Sequence, residues 1–234
     1  MRVAIMQPYF LPYIGYWQLM SAVDIFVIYD NIKYTKGSWI NRNRYLLNGE
    51  PEFITLPLRA ASDSAMIQDR TIASSYDPHR QFAKIKQNYS HAPNWHEIEK
   101  VVVDILLYNE LNLYTYVLNS IIQLRNYLGY NNQILTSSYI DCDHSLKSED
   151  RVIEICKSLG ATDYINNSSG QTLYSQQSFA KNNIKLQFLT AQTEFYSQPT
   201  DSFIPNLSIL DLICMVPRPE IQDKYLHHYQ LSEA

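Results

Sequence analysis

The stretch RVAIMQPYFLPYIGYWQLMSAVDIFVIYD (2–30) decides the fold. RVAIM (2–6) reads as a buried strand. Pro12 suits the first turn of a helix running through YIGYWQLM, because its missing N–H would have no partner there. DIFVIYD (24–30) is a second strand, rich in β-branched and aromatic residues. Two apolar strands joined by a short helix within 30 residues are the pattern of a parallel βαβ unit.

The pattern continues outward. EFITLPL (52–58) reads as a third strand, and 59–69 has loop composition. A helical stretch follows. Asp77 is a candidate N-cap with Pro78 in the first turn, and residues 94–109 and 111–129 carry apolar positions at helical spacing. NQILTSS (132–138) is another strand. SEDRVIEICKSLG (148–160) is a helix with Ser148 as N-cap and Gly160 as its stop. TDYINN (162–167) is a strand, SSGQTLY (168–174) a loop, QQSFAKNN (176–183) a short helix and IKLQFLTA (184–191) a strand. A last helix spans 206–214, with Asn206 as its cap. The alternation predicts a single α/β domain over 1–234 with a Rossmann-like, mostly parallel sheet of nucleotidyltransferase-like layout. Residues 72–131 form an inserted helical subdomain.

Composition narrows the function classes. The chain has 234 residues, 46% of them apolar, which is enough for a sizeable core. A formal charge of -4 argues against broad nucleic-acid binding, which needs a basic face. Cys142, Cys156 and Cys214 have no metal-ligand spacing and read as reduced thiols. The first residues do not resemble a secretory signal, and no apolar run reaches about 18 residues, so a soluble cytoplasmic protein without a membrane span is expected. Nineteen tyrosines suit sugar or nucleotide surfaces, and equally suit half-buried packing positions.

In open parallel sheets ligands bind beyond the carboxyl ends of the strands, often at the first βα turn. Here that turn holds Gln7, Tyr9, Tyr13, Gly15 and Tyr16. The helix start offers N–H groups for phosphate, Gly15 permits close approach, and the tyrosines offer stacking faces. The same residues also fit a Pro-rich turn over an aromatic core. Beyond Asp30, Lys33 and the segment KGSWINRNR (36–44) bring Lys36, Trp39, Asn41, Arg42, Asn43 and Arg44 together. Arg and Lys match phosphate and Asn matches sugar hydroxyls; scattered charges usually mark a solvated face, but the tight mix with Trp and Asn points to a polyphosphate or nucleotide-sugar pocket. Asn166, Asn167, Ser168, Ser169 and Gly170 form a small-residue loop able to hold an anion or a sugar. Asp211, a carboxylate inside an apolar run, is paired or has a raised pKa suited to proton transfer. Asp30 and Asp211 are therefore the candidate bases. DCDHS (141–145) is a polar loop ahead of a helix, and no nucleophile motif is present.

Four blocks carry a resemblance: MQPYFLPYIGYWQL (6–19), SWINRNRYL (38–46), DYINNSSGQTLY (163–174) and FIPNLSILDL (203–212). Together, in this order, they resemble the WbqC-like family, whose members are encoded among genes for O-antigen and other surface polysaccharides, lipopolysaccharide included. The resemblance implies a transferase that builds a glycyl amide on an amino sugar such as 4-amino-4,6-dideoxyglucose. Its partners would be a nucleotide-linked amino sugar, dTDP-linked for instance, and an amino-acid or acyl donor. The rivals are a nucleotidyl- or glycosyltransferase of the same pathway and a non-catalytic nucleotide-sugar-binding protein. The layout is also similar to nucleotidyltransferases and class I synthetases, but the place of their HxGH motif reads Tyr13-Ile14-Gly15-Tyr16. Adenylation therefore lacks its histidines. No cofactor motif is evident; ATP and magnesium stay open, as does a homodimer through the Tyr-rich helices.

Overall fold

The computed structural model describes residues 1–233. The chain runs β1 (Arg2–Met6), α1 (Ile14–Ser21), β2 (Ile25–Ile28), β3 (Arg42–Leu47), β4 (Glu50–Thr55), α2 (Pro78–Tyr89), α3 (Trp95–Leu106), α4 (Leu113–Leu128), β5 (Gln133–Thr136), α5 (Ser148–Ser158), β6 (Asp163–Asn167), α6 (Gln176–Lys181), β7 (Lys185–Ala191), α7 (Ile209–Met215) and β8 (Tyr229–Glu233). The main sheet has six strands in the order β5-β2-β1-β6-β7-β8. All its pairings are parallel except β7 with the edge strand β8. Counted in chain order, the parallel strands run 3-2-1-4-5, the order of a doubly wound Rossmann-like sheet.

Strand alternation divides the interior into two cores. Ala4, Phe26, Ile28, Ile165 and Leu189 face one core, which α1, the helices α2 to α4 and α7 also fill. Val3, Ile5, Ile25, Val27, Tyr164, Leu186 and Phe188 face the other, covered by α5 and α6. β1 and β2 are covered on both faces, so VAIM (3–6) and IFVI (25–28) are unbroken apolar runs. The helices between β4 and β5 add to the layer that holds α1. Among the described residues no helix is long and apolar enough to cross a membrane.

Several local expectations are corrected. The strand expected at 52–58 is β4, and it does not join the main sheet. It pairs antiparallel with β3, which the sequence reading treated as a basic segment. Asn48 and Gly49 close this hairpin with φ of 53° and 81°, the left-handed pair that favours Asn-Gly. The segment Ser168–Leu173 is a 3-10 helix, not an open loop. Ser148 does not cap α5: it lies at φ 51°, and Lys147 holds the cap position without a side-chain bond. Ser208, not Asn206, caps α7, its hydroxyl accepting from the Leu210 amide at 3.1 Å.

Candidate functional site

The chain leaves β1 toward β2 on one side, while β6 lies on the other. The carboxyl ends of β1 and β6 therefore splay apart at a topological switch point, where such sheets bind ligands. A cleft of about 670 Å³ opens there. Met6 and Gln7 extend from β1, Asn166 and Asn167 from β6, and Tyr29 from β2. Tyr9, Pro12 and Tyr13 come from the turn before α1, and Trp39, Asn43 and Arg44 from the hairpin arm. Ser169, Gly170, Leu173 and Tyr174 follow β6, and Asn206 precedes α7.

Hydrogen bonds between distant segments fix this geometry. The Phe10 amide donates to the Trp39 carbonyl at 3.0 Å. Asn43 Nδ2 donates to the carbonyls of Phe10 and Leu11 at 3.1 and 2.9 Å, tying the hairpin to the first βα turn. The Ser208 hydroxyl donates to Leu11 O at 2.8 Å, and its amide to Arg44 O at 2.7 Å. Arg44 Nη2 in turn donates to the Asn206 carbonyl at 3.3 Å. The turn, the hairpin and the approach to α7 are thus stitched around one mouth.

Of the residues singled out from the sequence, Gln7, Tyr9, Tyr13, Trp39, Asn43, Arg44, Asn166, Asn167, Ser169, Gly170 and Asn206 line this cleft. The structure brings the others elsewhere. Tyr16 is fully buried, its hydroxyl donating to Gln7 O at 3.2 Å. Gly15 meets the Tyr13 ring rather than open cleft; a Cβ there would lie 2.3 Å from the Tyr13 hydroxyl oxygen. Lys33 and Lys36 are exposed outside the cleft, and Ser168 does not line it. Asn41 is buried, accepting from the Tyr34 hydroxyl and donating to Leu56 O, both at 2.8 Å. Arg42 Nη2 donates to Gly37 O at 2.6 Å, and its guanidinium lies 4.8 Å from the Phe53 ring centre. Within β3, alternation turns Asn43 inward and leaves Arg42 and Arg44 half-buried on the other face, while Lys33 and Lys36 precede the strand.

Both candidate bases lie outside the cleft. Asp30 is buried and accepts from the Ser137 hydroxyl at 2.8 Å and the Ser138 amide at 3.0 Å. Asp211 is fully buried and accepts from Tyr89, Tyr196 and Gln198. Burial pushes its carboxyl above the usual range, opposed by those three donors.

What remains in the cleft is a particular chemistry. Among the described residues lining it there is no carboxylate, histidine, cysteine or lysine, and Arg44 is the one cation. Burial raises Tyr9, Tyr13 and Tyr174, and pushes Tyr29 up to about 12 against the pull of Arg151. These phenols are neutral donors near pH 7. Asn166 is spent internally, accepting from the Asn167 amide at 2.7 Å and donating to the Tyr164 hydroxyl at 3.1 Å. Asn167 Oδ1 has no protein partner.

Sequence reasoning missed Tyr29 and Tyr174 as lining residues. Tyr29 and Tyr174 were visible as aromatic ends of their segments. Arg151, whose guanidinium lies 5.2 Å from the Tyr29 ring centre, carried no local signal.

Comparison with known proteins bears on this arrangement. An uncharacterized protein of Mycobacterium tuberculosis is 28% identical over 218 residues, a match covering 91% of this chain and 92% of that one. The model of the WbqC-like protein family matches residues 7–223, which includes every polar residue of the cleft. The chain belongs to the WbqC-like protein family.

Proposed function

We propose that this protein is a transferase of surface-polysaccharide biosynthesis that acylates, with glycine or a related acyl group, the amine of a nucleotide-linked amino sugar. The observation that carries the reading is the make-up of the switch-point cleft: aromatic faces for rings, side-chain amides for hydroxyls and amines, and one arginine for phosphate. The family resemblance supplies the chemical class of donor and acceptor.

The reaction needs little from the protein beyond positioning. A neutral sugar amine attacks the carbonyl of an activated acyl donor. The C–N bond forms, the bond to the leaving group breaks, and the amine proton passes to the leaving group or to water. Holding the two reactants together replaces a bimolecular encounter with an effectively unimolecular one. The neutral phenols of Tyr29 and Tyr174 are suited to donate to developing negative charge, not to remove a proton.

The test is a mass spectrum of dTDP-4-amino-4,6-dideoxyglucose after incubation with the protein, glycine, ATP and magnesium. The expected product is heavier by one glycyl unit. A second reading, a nucleotide-sugar-binding protein without turnover, is favoured by the missing titratable base. Saturable binding with unchanged sugar for every activated donor tried would select it.

A further inference from the structure

The hairpin carries an aromatic platform beside the lone cation of the cleft. Trp39 is 40% exposed, whereas Trp17 and Trp95 are 0% and 5% exposed. Its ring stacks on Phe53, with centroids 6.3 Å apart and planes at 25°. Phe53 is itself 48% exposed. Two large aromatic rings are therefore left open to water where their burial would be favourable. They are not loosely held. The Trp39 carbonyl accepts the Phe10 amide, and Arg42 pins Gly37 in the turn before Trp39 while lying against Phe53.

The register places the charge. Arg44 pairs directly with Phe53 across the hairpin, so the two side chains share one face. Directly opposed residues bring their Cβ atoms within about 5.5 Å. Trp39 and Arg44 both line the cleft. A flat ring on Trp39 thus shares the cleft with the guanidinium, which pairs across the hairpin with the Phe53 that backs it.

We infer that Trp39, backed by Phe53, is the stacking subsite for the heterocyclic base of a nucleotide, whose phosphates meet Arg44. This rests on the nucleotide-sugar reading of the cleft and adds to it where the base lies. The sugar then points inward, toward Gln7 and Asn167. Base stacking on an aromatic side chain is sequence-tolerant, so this subsite favours any planar base over none.

Trp39 reports on itself, being the exposed tryptophan among three. The intact protein is titrated with thymidine diphosphate, with the dTDP-linked amino sugar and with glucose 1-phosphate, following emission in the wild type and in Trp39→Phe. Calorimetry gives affinities for these two and for Trp39→Ala. We expect both nucleotides to quench the emission that Trp39→Phe lacks. Trp39→Ala should weaken them by about tenfold or more, and Trp39→Phe by much less. Glucose 1-phosphate should bind weakly and ignore both substitutions. If the nucleotide sugar binds but Trp39→Ala binds it equally and emission does not change, the base lies elsewhere; the subsite is then wrong and the cleft reading survives. If neither nucleotide binds the wild type, both fall.

Discussion

Tyr89 donates its hydroxyl proton to Oδ1 of Asp211 at 2.7 Å, and the same phenol oxygen accepts the Leu46 amide at 3.1 Å. The other carboxylate oxygen accepts from Tyr196 at 2.7 Å and from Gln198 Nε2 at 3.0 Å. Gln198 reaches on to Ile204, accepting its amide at 2.7 Å and donating to its carbonyl at 3.1 Å. One arm of this network therefore ends on β3, two residues beyond Arg44. The other ends two residues before Asn206. Asp211 braces the two segments that meet at the cleft mouth.

Removing the carboxylate leaves buried donors without acceptors. Asp211→Ala orphans Tyr89 and Tyr196, takes one acceptor from Gln198 and adds a cavity. Asp211→Asn keeps the volume and one acceptor oxygen. Each unsatisfied buried group costs about 1–3 kcal/mol, so the asparagine variant should lose roughly that amount and the alanine variant more. Urea unfolding measures both. An Asp211→Ala protein as stable as the wild type would contradict the brace.

The same carboxylate gives stability a pH dependence of defined sign. Burial holds its folded-state pKa above the usual carboxylate value, net of its three donors. The folded protein then binds this proton more tightly than the unfolded chain. The resulting stability is fully present below the unfolded pKa of about 3.9 and is lost as pH rises through the raised value. The wild type minus Asp211→Asn difference in unfolding free energy should therefore shrink as pH climbs from about 4 across that window. A difference that grows with pH would mean the donors outweigh burial.

Arg44 should dominate charge recognition, because among the described residues no other cation lines the cleft. Arg44→Ala should weaken a nucleotide-sugar probe by about tenfold or more, since hydrogen bonds to charged groups are worth roughly 1.5–3 kcal/mol. Arg44→Lys should recover part of the loss, keeping the charge without the planar fork. Added salt should weaken the wild type more than Arg44→Ala. Calorimetry at two ionic strengths decides it, and equal salt responses would remove Arg44 from ligand contact.

The sequence disclosed those parts of the structure whose burial is simple. The segments 3–6 and 25–28 are covered on both faces and read as apolar runs, and 185–191 carries enough buried apolar residues to read as a strand. β8 was invisible because an edge strand, Tyr-Gln-Leu-Ser-Glu, buries little. β3 was misread because Arg42 and Arg44 occupy its open face, although Asn48-Gly49 between two strand-like runs was a hairpin signal. The tyrosine-rich turn and the Asn-Ser-Gly turn were legible as candidates because the carboxyl ends of strands are where such sheets open. The partners of Asp211 were not: Tyr89 lies 122 residues away, and no local pattern connects them. A lone carboxylate in an apolar helix looks the same from sequence whether it braces a wall or abstracts a proton.

Gly15 offers a clean separation of fold from site. It lies inside α1, in a conformation that alanine also adopts, and alanine is the better helix former by about 1 kcal/mol. Yet a Cβ at this position would stand 2.3 Å from the Tyr13 hydroxyl oxygen and 2.4 Å from Tyr13 Cζ. Real contacts are never so short, and the far end of the Tyr13 ring is the part free to move. Gly15→Ala should therefore push that ring off the helix and into the cleft, which Tyr13 already lines. Thermal stability should hold or rise while affinity for a nucleotide-sugar probe drops. Removing the displaced ring should relieve the obstruction, so the double variant Gly15→Ala, Tyr13→Ala should bind no worse than Tyr13→Ala alone. If Gly15→Ala binds like the wild type, the cleft accommodates the displaced ring and Tyr13 does not shape the ligand. If it unfolds, the ring is a fixed part of the core, and the glycine serves packing.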